Sequence, residues 1–187
     1  MLEGKNVNLR VLERDDIDFL IECWNNIEFW GDNLGAGGAG TQTTKSDWLK
    51  SLFDGPSEFM KMINWTGFII QKKDGTKIGL TWHIVNQPSR MMEINCFFVP
   101  SEKGRGYGTE ATQLLVDYLF LSKDIHRIQA TTNVRNKTAQ RVLEKVGFQK
   151  EGTIRKLSFV KGVWTDYHLY SILREEWKEP KILTKTI

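Results

Sequence analysis

The sequence has little of what would mark a disulfide-rich, membrane-spanning or exported protein. Only two cysteines and four prolines occur among its 187 residues, so we expect neither a disulfide framework nor a cysteine-ligated metal site. No apolar run approaches the roughly 18 residues that a membrane span requires. The opening residues lack the basic and then apolar pattern of an export signal. We therefore expect a cytoplasmic protein with no metal and no membrane contact.

The composition is typical of one globular domain. Hydrophobic residues make up 40% of the chain and charged residues 26%, which are ordinary values for a folded domain and exclude collagen, coiled coil and disorder. The length is also that of a single domain. The last nine residues show no periodicity, so we expect one domain over residues 1–178 and a C-terminal tail at 179–187.

The positive charge is concentrated in one part of the chain. Residues 101–150 contain nine basic and five acidic side chains, whereas residues 1–100 contain ten basic and thirteen acidic ones. Five of the seven tryptophans precede residue 100, and none lies between residues 100 and 160. The net charge of +3 is too small to suggest a nucleic-acid partner.

Hydrophobic periodicity predicts alternating strands and helices. Apolar alternation and β-rich runs predict strands at residues 6–13, 65–72, 77–85, 91–99, 127–132, 148–160 and 166–173. Helical spacing predicts helices around residues 17–24, 44–52, 111–119 and 139–146. Turn residues at 73–76 and 161–162 join two of the strand pairs as hairpins. This order predicts a mixed α/β or α+β sheet.

A glycine-rich loop between a strand and a helix is the most informative segment. The stretch from Glu93 to Thr109 runs from an apolar strand into three alternating glycines with Lys103 and Arg105 beside them. Glycines let the backbone approach a ligand closely, and helix N-termini bind anions. The pattern predicts a phosphate or pyrophosphate cradle, and a plain turn is the alternative. No GK[ST] follows, so it is not a P-loop.

A second glycine-rich stretch, residues 35–40, matches the letters of the GxGxxG dinucleotide motif. That motif requires a buried strand before it, and the preceding residues show no such pattern. We interpret the stretch as a surface loop or a loop near a ligand entrance. A dinucleotide-dependent oxidoreductase is the weaker alternative.

Two motifs together carry a family resemblance. Residues 133–148 predict an asparagine-led helix that ends at Gly-Phe, which alone indicates only an N-cap at Asn136 and a core stripe. Paired with the Pro-x-x-Lys-Gly-x-Gly loop, this segment resembles the GNAT N-acetyltransferase superfamily, and more closely its ribosomal-protein N-terminal acetyltransferase branch. The resemblance covers nearly the whole chain and is weakest at residues 28–65. It implies a mixed, mostly antiparallel central sheet flanked by helices.

The resemblance implies acetyl-CoA as co-substrate. The loop that wraps the coenzyme A pyrophosphate in the family corresponds here to Lys103, Gly104, Arg105, Gly106, Tyr107, Gly108 and Thr109. The pantetheine arm would contact the Asn136 side chain and the main chain of Phe97, Phe98 and Val99. Lys145 and Arg141 would face the nucleotide phosphate, or else be solvated helix charges. The basic surplus of residues 101–150 would then face an anionic cofactor.

The resemblance also places Glu93 where many family members have a catalytic glutamate. An amine with a pKa of about 10.4 is protonated near neutrality, so a base must remove its proton before attack. The two-residue period of a strand puts Glu93 on one face with Asn95 and Phe97. A salt-bridged strand glutamate is the alternative.

The sequence does not choose a general acid. Leu143 stands where many relatives have tyrosine, and Ala139 stands where the closer branch often has serine. Tyr107, Tyr167 and Tyr170 are candidates, and a thiol with a pKa of about 8.5 can leave without help. The two missing acids keep a second hypothesis open, a non-catalytic acyl-CoA sensor or interaction module on the same fold.

The acceptor is expected in the tryptophan-rich part of the chain. This part comprises the loop at residues 31–40 together with Trp24, Trp30, Trp48, Trp65 and Trp82. An aromatic-lined cleft suits an amine with apolar or cationic character, whereas core packing is the alternative, above all for Trp24. A protein α-amine, an antibiotic, a polyamine and a small metabolite all stay open as acceptors. Family analogy favours a homodimer.

Overall fold

A computed structural model describes residues 1–31, 44–54, 66–86 and 89–183. Its strands are β1 (Leu2–Glu3), β2 (Val7–Val11), β3 (Thr66–Lys72), β4 (Lys77–Asn86), β5 (Met91–Phe98), β6 (Arg127–Asn133), β7 (Gln149–Val160) and β8 (Val163–Leu173). Its helices are α1 (Ile17–Asn25), α2 (Ile27–Trp30), α3 (Lys45–Leu52), α4 (Tyr107–Ser122) and α5 (Lys137–Val146). The glycine stretch at residues 35–40 lies outside the described residues.

The eight strands form one sheet in the spatial order β1-β2-β3-β4-β5-β6-β8-β7. All neighbouring pairs are antiparallel except β5 and β6, which are parallel. The parallel pair is connected through α4, as a crossover connection between parallel strands requires. The predicted mixed, mostly antiparallel sheet flanked by helices is confirmed.

Helices cover the sheet from both sides. One core cluster joins α4 and α5 to the sheet, with Leu114, Leu115 and Ile128 fully buried in it. The other packs α1 and α2 against Ile69 and Leu80. The short helix α2 was not predicted, and Asn26 explains it, because its side chain accepts hydrogen bonds from the amides of Glu28 and Phe29.

The start of α1 is fixed to the sheet by a buried carboxylate. Asp16 accepts hydrogen bonds from both terminal nitrogens of Arg10, at 3.0 and 2.7 Å, and pairs with Lys77 Nζ at 2.7 Å. Burial alone would raise the pKa of Asp16, but the hydrogen bonds from Arg10 and Lys77 outweigh it and lower this pKa to about 2. The network holds α1 in a fixed position over its face of the sheet.

The C-terminal segment packs against α4. The buried Asp117 side chain accepts hydrogen bonds from Trp177 Nε1 and from the backbone amides of Lys181, Ile182 and Leu183. The Trp177 ring lies 5.4 Å from that of Phe120. The division of the chain at residue 178 stays a prediction. No helix among the described residues is long and apolar enough to cross a membrane.

A buried histidine makes the stability of the fold depend on pH. His83 is 2% exposed, and its ring lies 6.2 Å from Phe68 and 6.5 Å from Tyr118. Burial and, to a smaller extent, the charge of Lys123 lower the pKa of His83 to about 4. The folded protein therefore binds this proton less readily than the unfolded chain does. We expect the free energy of unfolding to fall by about 3 kcal/mol as the pH drops from 6.5 to 4.

Thermal unfolding followed across this pH range tests the expectation. Because phenylalanine cannot titrate, His83→Phe should flatten the slope between pH 6.5 and 4. The matched control is His126→Gln at an exposed histidine, which should keep the wild-type slope. If the same slope is measured in His83→Phe, another titrating group causes the pH dependence.

Candidate active site

A cleft opens where the two parallel strands separate. β5 and β6 pair at only three rungs, and the last joins Glu93 to Gln129. Beyond it β5 continues for five residues and β6 for four, and no further rung joins them. Each strand stays paired on its other side, β5 with β4 and β6 with β8. Among the described residues no other strand pairs with the facing edges, which can therefore bind an extended ligand through the main chain.

Glu93 lies at the apex of this cleft. Its carboxylate oxygens are within hydrogen-bond distance of Gln129 Nε2, at 3.3 Å, and of Thr131 Oγ1, at 3.5 Å. The glutamate is half-buried, and the described residues give it no salt-bridge partner. Both neighbours are neutral, so the negative charge is not cancelled. The alternative of a salt-bridged strand glutamate finds no support among the described residues.

Only every second residue of β5 directs its main-chain N–H and C=O groups into the cleft. Val99 donates its backbone N–H to the carbonyl of Ile78 in the β4 segment at 2.9 Å. Because main-chain groups alternate in direction along an antiparallel strand, those of Phe97 also face β4, and those of Phe98 face the cleft. Of the three predicted pantetheine contacts, the geometry therefore leaves Phe98 as the one whose main chain is available there.

The glycine loop gives the start of α4 an open anion site. Gly104 and Gly106 have φ angles of 81° and 88°, a left-handed conformation that side-chain-bearing residues rarely adopt. A Cβ built at either glycine meets nothing within 4 Å, so their surroundings are open. Gly106 is the N-cap of α4 and supplies no side-chain hydrogen bond to it. Thr109 donates its amide to the Gly106 carbonyl at 3.1 Å, whereas the described residues give the Tyr107 and Gly108 amides no partner, so these two can bind an anion.

Charged side chains surround the same loop. Lys103 and Arg105 are exposed, and Lys103 Nζ lies 3.4 Å from the backbone oxygen of Glu28 in α2. Glu102 accepts a hydrogen bond from Lys72 Nζ at 2.7 Å, and its second oxygen lies 3.5 Å from Arg105 Nε. Glu102 thus ties the loop to β3 and keeps its own charge balanced beside an anion site.

We expect Glu102→Gln to weaken acetyl-CoA binding without changing the chemistry. Losing the charged contact to Lys72 should loosen the loop and raise the KM for acetyl-CoA about fivefold, with kcat nearly unchanged. Steady-state kinetics at saturating amine separate the two constants. The exposed Glu175→Gln is the control and should match wild type. A fall in kcat with an unchanged KM would contradict a positioning role for Glu102.

The second motif forms a capped helix at the far side of the cleft. Asn136 Oδ1 accepts a hydrogen bond from the Ala139 amide at 3.0 Å, so Asn136 is the N-cap of α5 and its amide NH₂ can still donate. Arg141 and Lys145 are both exposed, one turn apart on α5. Their roles toward a cofactor stay predictions.

Trp24, Trp30 and Trp82 form a packed aromatic cluster with Phe97. The rings of Trp82 and Phe97 stack at 5.1 Å, and Trp30 meets Phe97 at 5.1 Å. Trp24 meets Trp30 edge-on at 4.6 Å. Trp30 is 4% exposed and therefore core, whereas Trp24 and Trp82 are half-buried. Trp65 and the Trp48 side chain lie outside what is described.

The tyrosines separate into different environments. Tyr170 is 1% exposed, and its hydroxyl donates to Glu144 Oε1 at 3.1 Å, on the α5 side of the sheet. Burial and this hydrogen bond raise the pKa of Tyr170. The Tyr170 hydroxyl is therefore directed away from the face that carries Glu93. Leu143 is core, and Tyr107 and Tyr167 stay candidates for the acid.

Four residues of the site were missed from the sequence. Gln129 and Thr131 contact Glu93, Glu102 positions the loop, and the buried Gln140 donates to the carbonyl oxygens of Asn133 and Val134. The sequence could have indicated Gln129 and Thr131, because residues two apart on β6 share one face of the sheet, and that face could also carry the glutamate of a neighbouring strand. Among the described residues no group of three or more His, Cys, Asp or Glu side chains could hold a metal.

The site fits a polyanionic, extended acyl donor. A splayed parallel pair offers main-chain groups, a helix N-terminus and exposed cations provide positive charge suited to a pyrophosphate, and a carboxylate with no salt-bridge partner among the described residues lies at the apex. Together these features define an acyl-CoA-dependent transferase.

Comparison with known proteins supplies the family. A profile described as "Acetyltransferase (GNAT) domain" matches residues 6–149. The Bacillus subtilis (strain 168) protein named "Probable N-acetyltransferase YjcK" is 30% identical over 94% of this chain and 98% of its own. "Putative ribosomal N-acetyltransferase YdaF" of the same organism is 26% identical over 95% and 97%. The spermidine N-acetyltransferase of Vibrio cholerae, solved with CoA and spermine, has a TM-score of 0.77 at 23% identity, covering 91% of this chain and 97% of its own.

The chain belongs to the GNAT acetyltransferase family. The resemblance stated from its two motifs is confirmed, and the chain is an acetyl-CoA-dependent N-acetyltransferase. The roles of its individual site residues are taken up as proposals.

Proposed function

We propose that this chain acetylates a primary amine by direct attack in the cleft between β5 and β6, with Glu93 as the base. The observation that carries the proposal is the Glu93 carboxylate, held at the cleft apex by two neutral side chains. An uncancelled negative charge attracts a protonated amine, and the same oxygen can then accept its proton. Acetyl-CoA, when bound, supplies the thioester whose C–S bond breaks as the C–N bond forms.

The chain's own groups would fix the reacting atoms in place. The first-turn amides of α4, with Lys103 and Arg105, would hold the pyrophosphate. The remaining loop contacts would come from Gly104, Gly106, Tyr107, Gly108 and Thr109, and Lys145 would face the nucleotide phosphate. The Asn136 amide would bond the pantetheine arm. The main-chain N–H of Phe98 would stabilise the negative charge that develops on the carbonyl oxygen.

The acceptor would enter on the face of β5 that Glu93 shares with Phe97. The half-buried Trp24 and Trp82 would provide apolar contacts at the edge of the aromatic cluster. Known relatives include enzymes named for spermidine acetylation, which supports an amine as the acceptor. A homodimer and a cytoplasmic location stay predictions from the sequence.

The test is release of the CoA thiol across a broad panel of amines, paired with calorimetric titration of acetyl-CoA. We expect acetyl-CoA to bind and at least one class of amine to give amine-dependent thiol release. Binding without release on any amine would contradict the proposal and support the non-catalytic acyl-CoA-binding module. Absence of acetyl-CoA binding at high micromolar concentration would contradict both.

A further inference from the structure

The hairpin of β7 and β8 extends beyond the end of the central sheet. β6 ends at Asn133, which pairs with Tyr167 of β8, whereas β7 and β8 remain paired as far as the Val160–Val163 rung. We call residues 155–164, at the tip of this extension, the hairpin arm. β7 is the last strand of the sheet, so one edge of the arm has no neighbouring strand in the part of the chain that the structure describes.

The hairpin arm exposes several large apolar side chains. Leu157, Phe159, Val163 and Trp164 are 43%, 51%, 47% and 60% exposed, and they are four of the seven large hydrophobic residues that the described part of the chain exposes. The Phe159 and Trp164 rings meet across the two strands at 5.6 Å. Val163 pairs with the buried Val160 and so lies on the opposite face from Trp164, whereas Phe159 and Trp164 share one face, and exposed apolar surface like theirs marks interaction sites.

The hairpin arm is also basic, and its shape is fixed. Residues 155–164 include three cations, Arg155, Lys156 and Lys161, and no acid. Pairing is interrupted between Ile154 and Ser158, and Lys156 there has a φ of 50°. The backbone N–H of Lys156 donates to Asp166 Oδ1 at 2.8 Å. This bulge is hydrogen-bonded to the opposite strand, which fixes the conformation of the arm.

The base of the hairpin arm adjoins the open end of the cleft. The Val134 backbone N–H donates to the carbonyl of Asp166 at 3.1 Å, two residues before the N-cap Asn136. Ser171 of β8 pairs with Gln129, the neighbour of Glu93. Trp164 lies seven residues along β8 from Ser171, a path of about 23 Å at 3.3 Å per residue. An extended chain therefore needs about seven residues to reach from Glu93 to the arm.

We propose that the hairpin arm docks an acidic segment of a protein acceptor while the amine of that acceptor reacts beside Glu93. This inference rests on the proposed function and names its substrate class. Apolar side chains of the segment would contact Phe159 and Trp164. Acidic residues about seven positions from the amine would pair with Arg155, Lys156 and Lys161.

The charge of the hairpin arm selects this occupant. A second copy would bring the same three cations against each other around a two-fold axis, and lysine on an edge strand disfavours such pairing. A polyamine is itself a cation and would be repelled. A nucleic acid calls for more charge than three cations and for separated rings on which bases stack, whereas here the two rings contact each other.

Three acceptors measured with the full-length protein and acetyl-CoA test the inference. The first is a 12-residue lysine-free peptide with a free α-amine and acidic residues at positions 5–9. The second has glutamine at those positions, and the third is spermidine. We expect the acidic peptide to exceed the neutral peptide about tenfold in kcat/KM. Calorimetric binding of the acidic peptide to the protein loaded with CoA gives a readout that needs no turnover.

Two variants assign the preference to the hairpin arm. Phe159→Ser with Trp164→Ser, and Arg155→Glu with Lys161→Glu, should each abolish the tenfold preference and leave acetyl-CoA binding and turnover of the neutral peptide unchanged. Lys5→Glu, an exposed cation near the opposite sheet edge, is the control and should keep the preference.

Each alternative has its own outcome. A preference that survives both arm variants overturns the inference, as does an equal loss with every acceptor. A change from dimer to monomer in sedimentation would assign the arm to a second copy, and a loss of binding to a short RNA would assign it to nucleic acid; either overturns the inference. Acidic-peptide binding that depends on the arm, without turnover of any amine, would uphold the docking surface and contradict the proposed function.

Discussion

Replacing Glu93 with glutamine is expected to lower turnover by about 10²-fold to 10⁴-fold, the range of general-base catalysis. Glutamine keeps the size of the side chain and a contact with Gln129, but it cannot accept a proton from the amine. Acetyl-CoA binding should be unchanged, because the cofactor contacts we propose lie on the glycine loop, on α5 and on the main chain of β5. Thiol-release kinetics and calorimetric titration measure the two quantities separately.

Glu151→Gln is the matched control for this experiment. Glu151 is also a strand glutamate, but it is paired with Arg127 and hydrogen-bonded by Ser171, and these contacts lower its pKa to about 2. A carboxylate held in this way is a poor base, so its variant should turn over like wild type. Unchanged turnover in Glu93→Gln would remove Glu93 as the base.

Replacing Asp117 with alanine should cause the largest loss of stability. The side chain is fully buried and accepts hydrogen bonds from Gln113, from Trp177 and from three consecutive backbone amides at residues 181–183. Without the carboxylate these donors lose their partner, and the C-terminal segment separates from α4. We expect the free energy of unfolding to fall by roughly 3 kcal/mol and the melting temperature by about 10 °C.

Thermal unfolding with and without acetyl-CoA measures this effect. The side chain of Asp124 is 85% accessible and pairs with Arg90, so Asp124→Ala should leave the melting temperature nearly unchanged because exposed pairs contribute little. If the Asp117→Ala protein has the melting temperature of the wild type, residues 177–183 contribute no stability through this contact.

Local patterns determined most of the elements. The alternation of apolar residues along β5 and β6, the helical stripes of α4 and α5 and the turn residues at 73–76 and 161–162 each depend on neighbours within a few positions. Two elements escaped these patterns. β1 has two residues and α2 has four, which is too short for a periodicity to be read.

In the candidate site, too, local patterns predict some residues and miss others. The glycine loop and the N-cap Asn136 are contiguous motifs, so their positions could be read directly. Gln129 lies 36 residues from Glu93 and Glu102 lies 30 residues from Lys72. No local pattern joins residues that far apart, because their contact depends on strand order and register.

The sequence by itself determined the family, the order of all strands and helices except β1 and α2, and the positions of the candidate pyrophosphate loop and the candidate base. These features reside in short motifs and in the periods of 2 and 3.6 residues that secondary structure imposes. Only the tertiary structure decided that β5 and β6 separate directly after Glu93, that this carboxylate has neutral neighbours, and that a basic, apolar hairpin arm extends from the open end of the cleft. Those are consequences of which strands become neighbours and where their pairing stops.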